Sequence, residues 1–231
     1  MFDWITQSTT DEPNAAFSSE ANGILVGGSI ATEFGWRPIE AVCCGDMVLT
    51  FDNGFRPIVG MRRVCLWNGR DTCPDALLPV LIEANVLDNT RDVRVLPEQG
   101  IMVESNAAED YRGDLFAVLI PRSMQAYGFA DRVQPSGLIE VIILEFEETE
   151  VIYGQCGLHY FVPKTGDMLA EKESHLAYKM LNTEETFVVL EDLNTAHMQH
   201  LIPLTVGAVP KKGPQFASPL SFLACRLCSV F

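Results

Sequence analysis

Positive charge is scarce in this chain of 231 residues: 16 Lys and Arg stand against 31 Asp and Glu, so 16 − 31 leaves −15. Such a field repels phosphate backbones and anionic lipid, which argues against nucleic acid or a membrane surface as the main partner. Long apolar runs are missing as well. The longest uncharged stretch near the front, Ala21–Thr32, has 12 residues and is rich in glycine, too short to span a bilayer. The start, Met1-Phe2-Asp3-Trp4, has no basic region and no apolar region behind it, so no amino-terminal secretory signal is expected. Seven cysteines, among them the adjacent Cys43 and Cys44, cannot all pair within one chain. A reducing cytoplasm with every thiol free is the simplest expectation. Dinucleotide fingerprints, phosphate-binding loops, G-x-S-x-G elbows and acidic calcium loops are all absent. What is present is a hydrophobic fraction of 48%, enough for a packed core.

The chain reads in four parts. Residues 1–22 are polar, with four acids and no base, and form an arm. From Gly23 to Pro163 short apolar runs alternate with Gly, Pro, Asn and Asp: Ser29–Thr32, Met47–Phe51, Arg56–Val64, Leu77–Ile82, Asp92–Leu96, Ile101–Val103, Leu115–Ile120, Leu138–Phe146 and Val151–Tyr153. Many short strands with turn signals between them predict an all-β sandwich or barrel. Asp52-Asn53-Gly54 predicts a type I′ hairpin turn. Residues 164–200 extend the same domain with helices: Met168, Leu169, Leu176, Met180 and Leu181 recur at helical spacing over Asp167–Asn182, and Glu191–His200 is a second candidate. Residues 201–231 form a tail with four of the thirteen prolines; from residue 196 on, the chain has no acid and carries Lys211, Lys212 and Arg226.

Four runs carry a more specific signal: Gly27-Gly28-Ser29-Ile30-Ala31-Thr32, Gly35-Trp36-Arg37-Pro38-Ile39-Glu40, Gly45-Asp46-Met47-Val48-Leu49-Thr50 and Asp52-Asn53-Gly54-Phe55-Arg56-Pro57-Ile58. Together they resemble the opening of the Hint domain shared by hedgehog proteins and inteins, most closely its bacterial variant. Arg94–Val103, Glu150–Tyr153 and Tyr160–Pro163 are similar to its later strands, so the likeness runs over about residues 23–180. It implies a flattened, horseshoe-like all-β fold with pseudo-twofold related segments, closed by one or two helices. It also implies self-cleavage, in which a Cys or Ser at the first residue attacks the preceding carbonyl while a strand histidine and later groups move protons. Such chemistry needs a nucleophile with a base or polariser within hydrogen-bond reach. Here the first-residue position falls on Gly23, the strand-histidine position on Gln99 and a later histidine position on Ile143. None of the three has the group required; the amide of Gln99 takes up no proton near neutral pH. The expectation is a Hint scaffold without Hint catalysis.

Other residues are weighed against plainer roles. Asn22-Gly23 is the pair most open to succinimide formation, and Ser29 and Thr32 are candidates for a relocated nucleophile. A joint between arm and domain, and ordinary strand hydroxyls, are the simpler readings. Glu145 and Glu147 share one face if the strand runs through both, but a hard cation needs six or more oxygens, so a solvated face is expected. His197 and His200 lie one helical turn apart, a permissible metal pair that lacks a nearby carboxylate; His159 and His175 sit in other elements. Cys225 and Cys228 have half-site spacing without a second half. No metal or cofactor is therefore expected. The leading functional expectation is a catalytically degenerate binding module for a protein or peptide partner. The alternatives are self-processing through a relocated nucleophile or cleavage at Asn22-Gly23, and homo-oligomerisation through the basic tail.

Overall fold

The computed structural model describes residues 23–164, 178 and 180–201. Its strands in chain order are β1 (Ile24–Leu25), β2 (Ser29–Thr32), β3 (Gly35–Pro38), β4 (Met47–Thr50), β5 (Gly54–Pro57), β6 (Gly60–Trp67) and β7 (Val80–Ile82). They continue with β8 (Val93–Val95), β9 (Ile101–Glu104), β10 (Phe116–Leu119), β11 (Asp131–Arg132), β12 (Ile139–Glu145), β13 (Glu150–Tyr153) and β14 (His159–Val162). An eight-stranded sheet has the order β10-β9-β14-β13-β4-β2-β3, with β5 added on β4; two three-stranded sheets run β1-β12-β6 and β11-β7-β8. Strand pairings are antiparallel throughout, as the all-β pattern of short runs and tight turns requires.

One strand explains how these sheets share a centre. β12 is apolar on both faces, and its alternate residues enter different cores. Ile142 and Leu144 join the main core with Ile30, Val48, Ile101 and Ile152, while Ile139, Val141 and Ile143 join a second core with Leu78 and Leu96. Between Val141 and Leu144 the strand therefore has no polar face, because both of its sides are buried there.

Several sequence expectations change in the folded chain. Arg56–Val64 is not one strand. At Ile58 the chain leaves β4 for β12: the Ile58 N–H donates to the Asp46 carbonyl (3.0 Å) and the Val59 N–H to the Glu145 carbonyl (2.9 Å). The turn at Asp52-Asn53-Gly54 is not type I′, which needs two residues with positive φ. Thr50 pairs with Gly54 around a three-residue loop, and only Gly54 is left-handed, at φ +65°. The Thr50 hydroxyl fixes this loop, donating to the Gly54 carbonyl (2.9 Å) and accepting from the Asn53 N–H (3.3 Å).

Helical expectations shift too. Most of Asp167–Asn182 lies outside the described residues, but its end is not helical: Met180 bridges Val118. Asn182 instead opens the next helix, Thr183–Leu201. Its side chain accepts from the Glu185 N–H (2.9 Å) and the Glu185 carboxylate accepts from the Asn182 N–H (3.0 Å), a reciprocal cap that defines a helix start. The helix expected over Glu191–His200 is thus the second half of a longer one. Two short helices, Asn106–Arg112 and Pro121–Gln125, stand between strands where the sequence reading placed none. Ser105 caps the first by accepting from the Ala107 N–H (3.1 Å) and, through its hydroxyl, donates to Asp192 (2.8 Å), which fastens Thr183–Leu201 to the body. No helix among the described residues is long and apolar enough to cross a membrane.

Candidate functional site

A cavity of about 490 Å³ opens where three stretches of chain meet, residues 23–29 leading into β2, residues 92–96 around β8 and residues 133–140 leading into β12. Its floor includes Gln99, Cys156 and Tyr160. Gly23 and Gln99, distant in sequence, therefore border the same space. The fold brings them together because β1 pairs with β12 (Ile24 opposite Ile142) while Gln99 precedes β9, whose register carries it beside β14.

Gly23 is buried against β12. A Cβ added there would lie 2.8 Å from the Cβ and Cγ2 of Val141 and 3.2 Å from Cγ1 of Ile143. The Val141 contact is to the stem of a strand residue, which cannot swing aside, so the backbone leaves no room for a side chain at this position. Ile143, the third of the positions named above, fills the second core and is itself buried. Gln99 is 1% exposed. Its Nε2 donates to the carbonyls of Gly100 (2.9 Å) and Phe161 (3.0 Å), which fixes the amide, and its Oε1 has no hydrogen-bond partner among the described residues. A buried acceptor left in this way is unfavourable by about 1–3 kcal/mol.

Two further groups at the cavity escape a sequence reading. Tyr160 is 7% exposed and its hydroxyl makes no hydrogen bond among the described residues. Burial, with Cys156 beside it, pushes that phenol up to about 12, so it stays a neutral donor. Cys156 is half-buried and sits in the left-handed region at φ +67°, a conformation that a side-chain-bearing residue adopts at some energetic cost. Its carbonyl accepts from the Thr90 N–H (2.9 Å), which holds the strained turn. At the rim, Arg94 is exposed and has no acidic partner among the described residues. The glycines either side of Gln155-Cys156 were the only available signal of a special turn.

The remaining candidates fall elsewhere. Ser29 borders the cavity, but Thr32 does not: its hydroxyl donates to the Gly35 carbonyl (2.8 Å) and accepts from the Phe34 N–H (3.2 Å), tying the β2–β3 hairpin. Glu145 and Glu147 do not share a strand face, because β12 ends at Glu145. Glu145 lies 3.4 Å from the Arg62 guanidinium, and Glu147 is exposed beyond the strand. His197 is half-buried on Thr183–Leu201, while the His200 side chain, Asn22, His175, Cys225, Cys228 and the basic tail lie outside the described residues. Among the described residues no three His, Cys, Asp or Glu side chains converge to hold a metal ion. The five described cysteines are all free.

Comparison with known proteins gives the same region a family. A Hint domain model matches residues 23–156, more than half of the chain. Among solved structures the chain is similar to a glutathione-linked, splice-inactive variant of the AceL NrdHF class 3 split intein, at 13% identity over 62% of this chain and 99% of that one, TM-score 0.33. It is also similar to the MchDnaB-1 intein, at 13% identity over 59% and 98% of the two chains, TM-score 0.36. No curated protein matches the chain.

Proposed function

The chain belongs to the Hint domain family, and from that premise we propose that it is a catalytically degenerate member which uses the cleft at Gly23 as a binding site for a protein or peptide segment. The observation that carries this reading is steric. Where the resemblance puts a nucleophile, a Cβ would stand 2.8 Å from Val141. The backbone is packed for a hydrogen atom, so the missing nucleophile is built into the strand register and is not a simple substitution in an otherwise open site.

Gln99 supports the same conclusion. Its amide is pinned by two carbonyls and neither takes up nor gives up a proton as a base or acid would near neutral pH. A cavity of this size, lined by polar as well as apolar groups, suits a ligand that offers both, as a peptide segment does.

Intact mass of the full-length protein, followed over days at neutral pH, tests the proposal. An unchanged mass is expected. Time-dependent loss of residues 1–22, abolished by denaturation, would overturn it in favour of self-processing. In that case Asn22→Ala separates the two routes: cleavage that survives the change points to a relocated hydroxyl such as Ser29, and cleavage that stops points to Asn22 cyclisation.

A further inference from the structure

The cleft is polar in a particular way. Arg94 at its rim is a guanidinium with no acidic partner among the described residues. The two carboxylates that also line the cleft are engaged, Asp92 accepting from the Ala84 N–H (2.9 Å) and Glu140 bound by Arg63 (2.6 and 2.7 Å). Six other arginines are engaged, Arg37 with Asp46, Arg56 with Glu150, Arg62 with Glu145, Arg63 with Glu140, Arg122 with Glu98 and Arg132 with Asp75. Arg70 and Arg91 also have no acidic partner among the described residues, but neither lines the cleft. On the floor, Tyr160 offers a hydroxyl and Gln99 an amide oxygen, both more than nine-tenths buried and both unpartnered. Buried polar groups in native proteins are almost always paired. Gln99 Oε1 is such an exception, and the Tyr160 hydroxyl at the same cavity has no hydrogen-bond partner among the described residues. Together they match the two needs of a peptide group, since Tyr160 can donate to its carbonyl and Gln99 Oε1 can accept from its N–H. The wall beside them is apolar, from Val95, Leu96 and Ile139.

Resting on the binding-module reading above, we infer that the cleft takes an acidic peptide segment of a partner protein, with a peptide group on Tyr160 and Gln99 and a carboxylate on Arg94. The carboxylate is the specific element, because a charge-assisted Arg–carboxylate pair is roughly twice as strong as a neutral hydrogen bond. The surrounding acidic surface then acts against unwanted partners: an acidic segment is tolerated only where Arg94 meets it.

Cys156 supplies the readout, since it is half-buried in the same cavity while Cys43, Cys44 and Cys65 are exposed elsewhere. Full-length protein is alkylated with iodoacetamide and each cysteine is followed by mass spectrometry. The competitor is a capped heptapeptide of alternating valine and threonine with a central glutamate, compared with its lysine counterpart. The glutamate peptide is expected to slow Cys156 alkylation saturably and to leave the three exposed cysteines unchanged. The lysine peptide should need roughly tenfold more for half-protection. Arg94→Gln should abolish that difference, and Tyr160→Phe should raise half-protection several-fold for both peptides. Neither change removes a bond that the fold uses, and unaltered thermal melting of both variants checks this. The inference fails if neither peptide slows Cys156, or if the two protect equally. Equal protection would overturn the acidic assignment and leave a peptide cleft standing, whereas loss of residues 1–22 by intact mass would overturn the binding-module reading itself.

Discussion

The hairpins of residues 27–58 and the cleft at Gly23 share strands and core, yet they treat polar groups in opposite ways. In the hairpins every buried polar side chain has its partner. Thr32 and Thr50 tie their own turns, the Asp46 carboxylate binds Arg37 (2.8 Å) and the Cys43 N–H (2.9 Å), and buried Glu150 accepts two bonds from Asn53 Nδ2 at 3.2 and 3.0 Å. In the cleft Gln99 Oε1, the Tyr160 hydroxyl and Arg94 are left over. The difference separates polar groups that serve the fold from those that do not. The first set specifies turn geometry, and the second is free to meet a ligand.

Removing a polar group should therefore be costly in the hairpins and nearly neutral in the cleft. The largest effect is expected for Glu150→Ala, which strands the Asn53 amide and the nearby Arg56 (3.7 Å). A loss of about 3–4 kcal/mol in urea unfolding follows; a loss below 1 kcal/mol would break the comparison. Next is the His159 imidazole, packed against Phe51 and Tyr153, which burial pushes down to about 4. Its folded value lies below the unfolded one near 6.5, so the unfolded chain takes up the proton first. Stability should be intact above pH 6.5 and fall by up to roughly 3 kcal/mol as pH drops towards 4. His159→Phe should flatten that slope when unfolding is measured at several pH values.

A smaller effect, roughly 1–3 kcal/mol, is expected for Gly23→Cys, because the new Cβ overpacks Val141. The thiol should also fail to start cleavage by intact mass. In a double-mutant cycle the Gly23→Cys loss should be smaller on a Val141→Gly background, which removes both contacting atoms, than on the native one, and that coupling distinguishes a steric cause from a general intolerance of cysteine. The smallest effect belongs to Tyr160→Phe, which deletes an unpartnered hydroxyl and should move stability by less than about 0.5 kcal/mol. A larger loss would show that the hydroxyl serves the fold after all and would erase the contrast with Thr32.

Much of the fold was legible because it is local. Alternating apolar runs mark strands whatever they pair with, and most expected strands appear within one or two residues of their bounds. Misses occurred where a partner outside the run decided the outcome. Ile58 and Val59 change partners from β4 to β12, which no pattern within Arg56–Val64 records. Asn182 could close one helix or open another, and the reciprocal bonds with Glu185 determine which. The helix Asn106–Arg112 is only 7 residues long, below the length at which periodicity speaks; its signals were Ser105 before it and Gly113 after it.

The candidate site divides in the same way. The resemblance put the nucleophile and strand-histidine positions on Gly23 and Gln99, and that neither residue type carries a nucleophile or a base could be read without a structure. The sequence by itself also established the −15 that makes an unpaired arginine notable. Only the tertiary structure decided that Gly23 has no room for a side chain, that Gln99 and Tyr160 leave an acceptor and a donor unpaired, and that Arg94 and Cys156 border the same cavity. Those are facts about distance between segments up to about 130 residues apart, fixed by strand pairing and burial, and pairing is chosen by the whole core and by no single stretch of chain.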